Sequence, residues 1–242
     1  MQLIKSAALV SVIILGAVAG CSSTTTVVQT DGGSTPDGGV KDTGGKDVGP
    51  LPDGALAACK PQDVSSFKPD ALVPPATKAG ACTTLDASNF FDNCIDPGDT
   101  TLCTAMTKDT TKANCLKCLT TPETAAAWGA LVEDANNLIR NNIAGCLQVK
   151  GDKACATAVD VDTQCSHAAC PDTVCPVPSG DKAALTALNK CLSDAGKTVC
   201  KTQHDAANCL NADSGAAAAC AGGTTFKDTF VLVADAICVK GS

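Results

Sequence analysis

Seventeen cysteines in 242 residues limit what this chain can fold into more than any other feature. The same chain holds one Trp, five Phe and no Tyr. A core without large aromatics buries little apolar area per residue and needs other support. Disulfides supply it in an oxidising compartment, each worth about 2–4 kcal/mol, mainly by constraining the unfolded chain. In a reducing cytosol the same cysteines would be a metal or redox inventory. The N-terminus decides between the two.

Lys5 provides a positive start, and Ala7 to Val18 is apolar apart from Ser11 and Gly16. That length suits the apolar region of a signal peptide and is too short to span a bilayer. The segment closes on Val18-Ala19-Gly20-Cys21, which resembles the bacterial lipobox. The resemblance implies transfer of diacylglycerol to the Cys21 thiol, cleavage before Cys21, and acylation of the new amino group. Its partner is then the membrane, through lipid on Cys21. Ser22 follows, where aspartate commonly marks inner-membrane retention in Gram-negative lipoproteins. The resemblance therefore implies the cell envelope and the outer-membrane class, on either face. Parity agrees, because with Cys21 lipidated sixteen cysteines remain to pair.

Three segments follow: a signal peptide over 1–20, the lipidated cysteine with a flexible linker over 21–58, and a cysteine-rich domain over 59–242. Residues 22–58 hold eight Gly, three Pro and five Asp. They cannot bury enough surface to offset the entropy of ordering, so the reading is a disordered tether. Its root-mean-square reach is roughly 30–35 Å. Asp31, Asp37, Asp42, Asp47 and Asp53 lack the ligand density of a calcium loop and read as solvated spacer.

The disulfide candidates are Cys59, Cys82, Cys94, Cys103, Cys115, Cys118, Cys146, Cys155, Cys165, Cys170, Cys175, Cys191, Cys200, Cys209, Cys220 and Cys238. Three stretches share a rhythm in which eight residues separate two cysteines: Cys94/Cys103, Cys146/Cys155 and Cys191/Cys200. Each gap holds a central glycine, Gly98, Gly151 or Gly196, and a third cysteine follows at Cys115, Cys165 or Cys209. A fourth apolar run ends at Cys238. The expected architecture is all-α, a disulfide-rich array of short helices in about four quasi-repeats. Each paired-cysteine stretch reads as helix, glycine turn and second helix. Sixteen cysteines allow about two million pairings, and spacing does not choose among them.

The clearest helix on this reading starts at Thr121, Pro122 and Glu123, as cap, first-turn proline and dipole partner. Trp128, Leu131, Ala135, Leu138, Ile139, Ile143 and Cys146 recur along one face. Gly151 is its stop, and Asp152 opens the next helix. Phe230-Val231-Leu232-Val233 fits the helical period, and Asp172 to Ser179 reads as a loop.

Chemistry-bearing sets are few. Cys115 and Cys118 form the one C-x2-C, without the strand context of a thioredoxin-like motif. Cys165, His167, Cys170 and Cys175 have spacing compatible with zinc, although export favours oxidation. His204 adjoins Asp205 in a polar stretch and reads as a surface histidine. Trp128, on an apolar stripe, reads as core. No catalytic residue, metal or cofactor is assigned. Net charge is −7, and loss of Lys5 with residues 1–20 makes it −8. That balance argues against nucleic acid, which needs a basic patch. The expected function is a membrane-anchored structural or protein-binding module with a protein partner at the envelope, not an enzyme. The alternative is a thiol-redox or zinc protein using Cys115/Cys118 or Cys165/His167/Cys170/Cys175.

Overall fold

A computed structural model describes residues 59–78, 80–96, 100–178, 181–211 and 215–239, together with the backbone of 27–29. The signal segment, Cys21 and the rest of the expected tether lie outside the described residues. Nine α-helices occur among those described: α1 (Thr84–Phe90), α2 (Thr100–Lys108), α3 (Ala113–Leu119), α4 (Ile143–Val149), α5 (Lys153–Ala169), α6 (Lys182–Lys197), α7 (Lys201–Ala206), α8 (Gly215–Ala221) and α9 (Phe226–Ile237). A π-turn, Phe91–Ile95, extends α1, and a 3-10 turn, Ala207–Asn211, extends α7.

Side-chain caps start these helices where the sequence supplies them. Thr83 and Thr225 each form a capping box, with Asp86 and Asp228 as the reciprocal partners. Asn142, Asp152 and Asp181 accept from the first-turn amides of Gly145, Cys155 and Ala184. The expected break at Gly151 is present, with φ at 87°, a conformation glycine adopts without a Cβ penalty. Gly196 differs, because it lies inside α6 and the turn falls after it.

The all-α expectation needs correction at the segment that looked most helical. Residues 120–141 form strands instead: β2 (Thr120–Pro122), β3 (Leu131–Glu133) and β4 (Leu138–Asn141). β4 pairs antiparallel with β3, and β3 parallel with β2. Two local features defeat the helix. Asn137 has φ at 60°, and the Asp134 carboxylate accepts from the amides of Asn136 and Leu138, which closes a hairpin turn. Gly129 packs so tightly on the Cys118 carbonyl that a Cβ there would lie 2.2 Å from the oxygen. Leu131 and Val132 are both buried, as are Leu138, Ile139 and Arg140. A strand buried on both faces shows no alternation, so its apolar pairs mimic helical spacing.

The fourth strand, β1 (Val27–Gln29), falls within the expected tether. It pairs antiparallel with β4, completing the order β1-β4-β3-β2. The protein is thus helix-rich with one small sheet.

All sixteen cysteines from Cys59 onward are bonded. Four bonds follow one rule. Numbering Cys146, Cys155, Cys165 and Cys170 as first to fourth, and Cys191, Cys200, Cys209 and Cys220 likewise, first bonds fourth and second bonds third in both directions. The bonds are Cys146–Cys220, Cys155–Cys209, Cys165–Cys200 and Cys170–Cys191. Exchanging the two sets leaves the pattern unchanged, so α4–α5 and the segment from α6 to α8 are cross-linked with a pseudo-two-fold connectivity. The first stretch departs from this, for Cys94 and Cys103 bond each other. Cys82–Cys115, Cys118–Cys238 and Cys59–Cys175 complete the set.

Two cores result. One gathers α1, α3, α4, α9, the first half of α5 and the sheet, and it concentrates the scarce aromatics. Phe91 lies 5.6 Å from Phe230 and 5.9 Å from Phe226, and Phe90 lies 6.4 Å from Phe230. Phe230, Val233, Ala234 and Ile237 form the buried stripe of α9. The other core joins the end of α5 to α6 and to Cys59.

Candidate functional site

Helix α5 carries the densest group of buried polar residues. Asp160, Asp162 and Ser166 lie on it almost wholly out of solvent, where an ionised carboxylate needs a partner. The helix is held there by its disulfides: Cys155 and Cys165 tie it to the segment carrying α7, and Cys170 ties its end to α6.

On the α7 side, Asp162 Oδ2 lies 3.2 Å from His204 Nδ1. The two side chains are 6% and 16% exposed. Burial pushes the Asp162 carboxyl above its usual range, and His204 pulls it back by charge and hydrogen bond. Gly196 makes room for the imidazole, since a Cβ there would lie 2.9 Å from Nδ1. His204 is therefore not the surface histidine expected, and its partner is not the adjacent Asp205, which pairs with Lys201. The change has a simple cause. Helix α7 turns residue 204 inward toward α5 and residue 205 outward.

On the sheet side, Arg140 is buried and pairs with Glu123 at 2.8 Å. Its guanidinium lies 5.0 Å from the Trp128 ring centroid, a cation–π contact. The Trp128 indole donates to the Glu123 carbonyl. Thus Glu123, expected to favour a helix start, instead neutralises a strand arginine. Burial pushes Asp160 up, while Gln164 and the Arg140 charge draw it down. His167 Nε2 is enclosed without a hydrogen-bond partner. Burial lowers this histidine to about 4, Arg140 adds to the effect, and Glu123 opposes it.

The alternative metal and redox sets are not assembled. Cys115 and Cys118 bond Cys82 and Cys238 rather than each other. Neighbours on a helix at this spacing were drawn to different elements. Cys165, Cys170 and Cys175 bond Cys200, Cys191 and Cys59, which leaves no thiolate to join His167 around zinc. A different sulfur group does converge: Cys59, Cys175 and Cys191, whose sulfurs lie within 4.8 Å of one another. They belong to two adjacent disulfides, and a disulfide sulfur is not a thiolate ligand.

Sequence reasoning missed Asp162, Arg140 and this sulfur convergence. An aspartate on the apolar side of a helix was the one available signal for the first. The other two depend on long-range contacts. Chemically, both pairs act as clasps between elements: Asp162–His204 is enclosed, and Arg140 is buried against a half-exposed Glu123. No known protein family matches the chain, and neither a curated protein nor a solved structure is similar to it.

Proposed function

We propose that this chain is an exported lipoprotein, anchored in the cell envelope by lipid on Cys21, whose disulfide-locked domain is a structural or protein-binding module. One observation carries the reading. The eight bonds consume every cysteine from Cys59 to Cys238, and among the seventeen only Cys21 is outside them. A chain built for an oxidising compartment would leave an odd, reactive thiol unless that thiol is otherwise occupied, and the lipobox resemblance names its occupant.

The polar clusters support a non-catalytic role. Asp162 and His204 are committed to each other inside a cross-linked interface, and the buried Arg140 to Glu123, whereas a catalytic group must meet substrate. The reciprocal bonding of α4–α5 with the segment from α6 to α8 supports two related units within the expected array. No described helix is long and apolar enough to cross a membrane, so anchoring on this reading belongs to the lipid. Two or three acyl chains hold stably, whereas one is marginal.

Intact mass of the mature protein from its native membrane tests this, with and without reduction and alkylation. A start at Cys21 plus acyl chains, with sixteen cysteines alkylated only after reduction, is expected. Cysteines alkylated without reduction, or a retained metal, would revive the redox or zinc reading.

A further inference from the structure

The position of β1 changes what the anchor does. Thirty-eight residue steps separate Cys21 from Cys59. As a free coil they would let the domain range roughly 30–35 Å from its lipid in root-mean-square terms, and more than 100 Å at full stretch. But Val27–Gln29 is docked on β4, with Val27 opposite Arg140, Val28 opposite Ile139 and Gln29 opposite Leu138. Val27 is only six residues beyond Cys21. Six residues span at most about 20 Å.

Direction matters as much as length. In this antiparallel register the chain upstream of Val27 leaves the sheet at the end where β4 continues into Asn141. β1 lies beside α6, and Cys59 also packs into the core that α6 builds, where Cys175 bonds it. The N-terminal segment is therefore held at two points on one side of the domain. The intervening stretch, 30–58, connects those points rather than the domain to its lipid. Charge offers no substitute for this hold, because a mature net charge of −8 is repelled by an anionic surface.

We propose that β1 is a clasp that keeps the Asn141 end of the sheet apposed to the lipid surface carrying Cys21, so that the partner of this face is the bilayer. This rests on the lipidation reading above. The domain then sits within about 20 Å of the membrane instead of roaming at the end of a long tether.

Trp128 makes the test direct. It is the only tryptophan and stacks on Arg140, the residue opposite Val27. The lipidated full chain is placed in phosphatidylethanolamine/phosphatidylglycerol vesicles containing dansyl-labelled lipid, and energy transfer from Trp128 is measured. Val28→Pro removes a strand amide, and the triple change V27G, V28S, Q29G removes the strand's side chains. Wild type should transfer efficiently, and both variants should transfer several-fold less. Equal transfer in all three lipidated proteins overturns the clasp.

Hydrogen exchange on the unlipidated C21S chain separates the two claims. Slowing of the Val28 amide, which faces Ile139 of β4, by tenfold or more relative to the triple variant V27G, V28S, Q29G is the expected result. Absent protection overturns the clasp whatever the lipid state. Protected amides in a protein whose native mass lacks acyl chains overturn the lipidation reading and the lipid-facing role with it. Protection lost on dilution of a dimer shows that β1 pairs with a second copy, which also overturns the proposal.

Discussion

Asp162 and His204 meet at 3.2 Å across α5 and α7, between two disulfides, Cys155–Cys209 and Cys165–Cys200, that join the same elements. Gly196 is the third member of this group, since it leaves room for the imidazole. Gly196→Ala would place a Cβ against the imidazole and cost about 1–3 kcal/mol. His204→Ala would leave the Asp162 carboxylate buried without that partner, at about 1–3 kcal/mol. Combined, they should cost clearly less than their sum, because the clash disappears with the ring. Guanidinium unfolding of the four proteins in the cycle measures this, and simple additivity would refute the shared space.

His167 should make the fold acid-sensitive before its carboxylates titrate. Free histidine protonates near 6.5, while burial holds this one to about 4. Between those values the unfolded chain binds a proton that the fold refuses. The destabilisation from this histidine is therefore absent above pH 6.5, grows as pH drops, and levels off below about 4. The full effect is on the order of 3 kcal/mol. Asp134, Asp160 and Asp162 work the other way, since burial raises all three and the fold takes their protons first. His167→Gln should flatten the profile between pH 6.5 and 5, where the aspartates contribute least. Denaturant midpoints across that range check it, and an unchanged slope would contradict the buried imidazole.

Reduction should proceed from the rim inward. Cys94, Cys103 and Cys59 are partly exposed, whereas Cys115, Cys118, Cys165, Cys200 and Cys238 are fully buried. Mild dithiol treatment should open Cys94–Cys103 and Cys59–Cys175 first. Opening the second places a thiol within 4.8 Å of Cys191, so a non-native bond from Cys191 to Cys59 or Cys175 should then appear, with Cys170 released as the thiol. Stepwise alkylation with peptide mapping reads both the order and the exchange.

Cross-links that close long loops should matter more than short ones. Cys118–Cys238 spans 120 residues and Cys94–Cys103 spans nine. Chain-entropy reasoning predicts losses of about 4–5 and about 2–3 kcal/mol when each pair is replaced by alanine. Calorimetry on the two double variants compares them, and a larger loss for the short loop would contradict the ranking.

The turn at Asn137 offers a smaller test. Its φ of 60° suits glycine and asparagine. Asn137→Gly should be nearly neutral and Asn137→Ala should cost about 1 kcal/mol, read from thermal midpoints.

The sequence by itself determined what is local or countable. Cysteine number and parity, read with the N-terminal segment, point to cross-linking, Gly151 and Asp152 mark a helix boundary, and the apolar stripe of Phe226–Ile237 reads as a helix. Only the tertiary structure decided which sulfurs meet, because pairing depends on where helices pack and not on spacing along the chain. It also turned Leu131–Glu133 and Leu138–Asn141 into strands. There, burial on both faces erased the period-two signal, and the close contact of Gly129 with Cys118 overrode local preference. His204 found Asp162, forty-two residues away in sequence, rather than the carboxylate beside it, because a helix sends consecutive side chains in different directions.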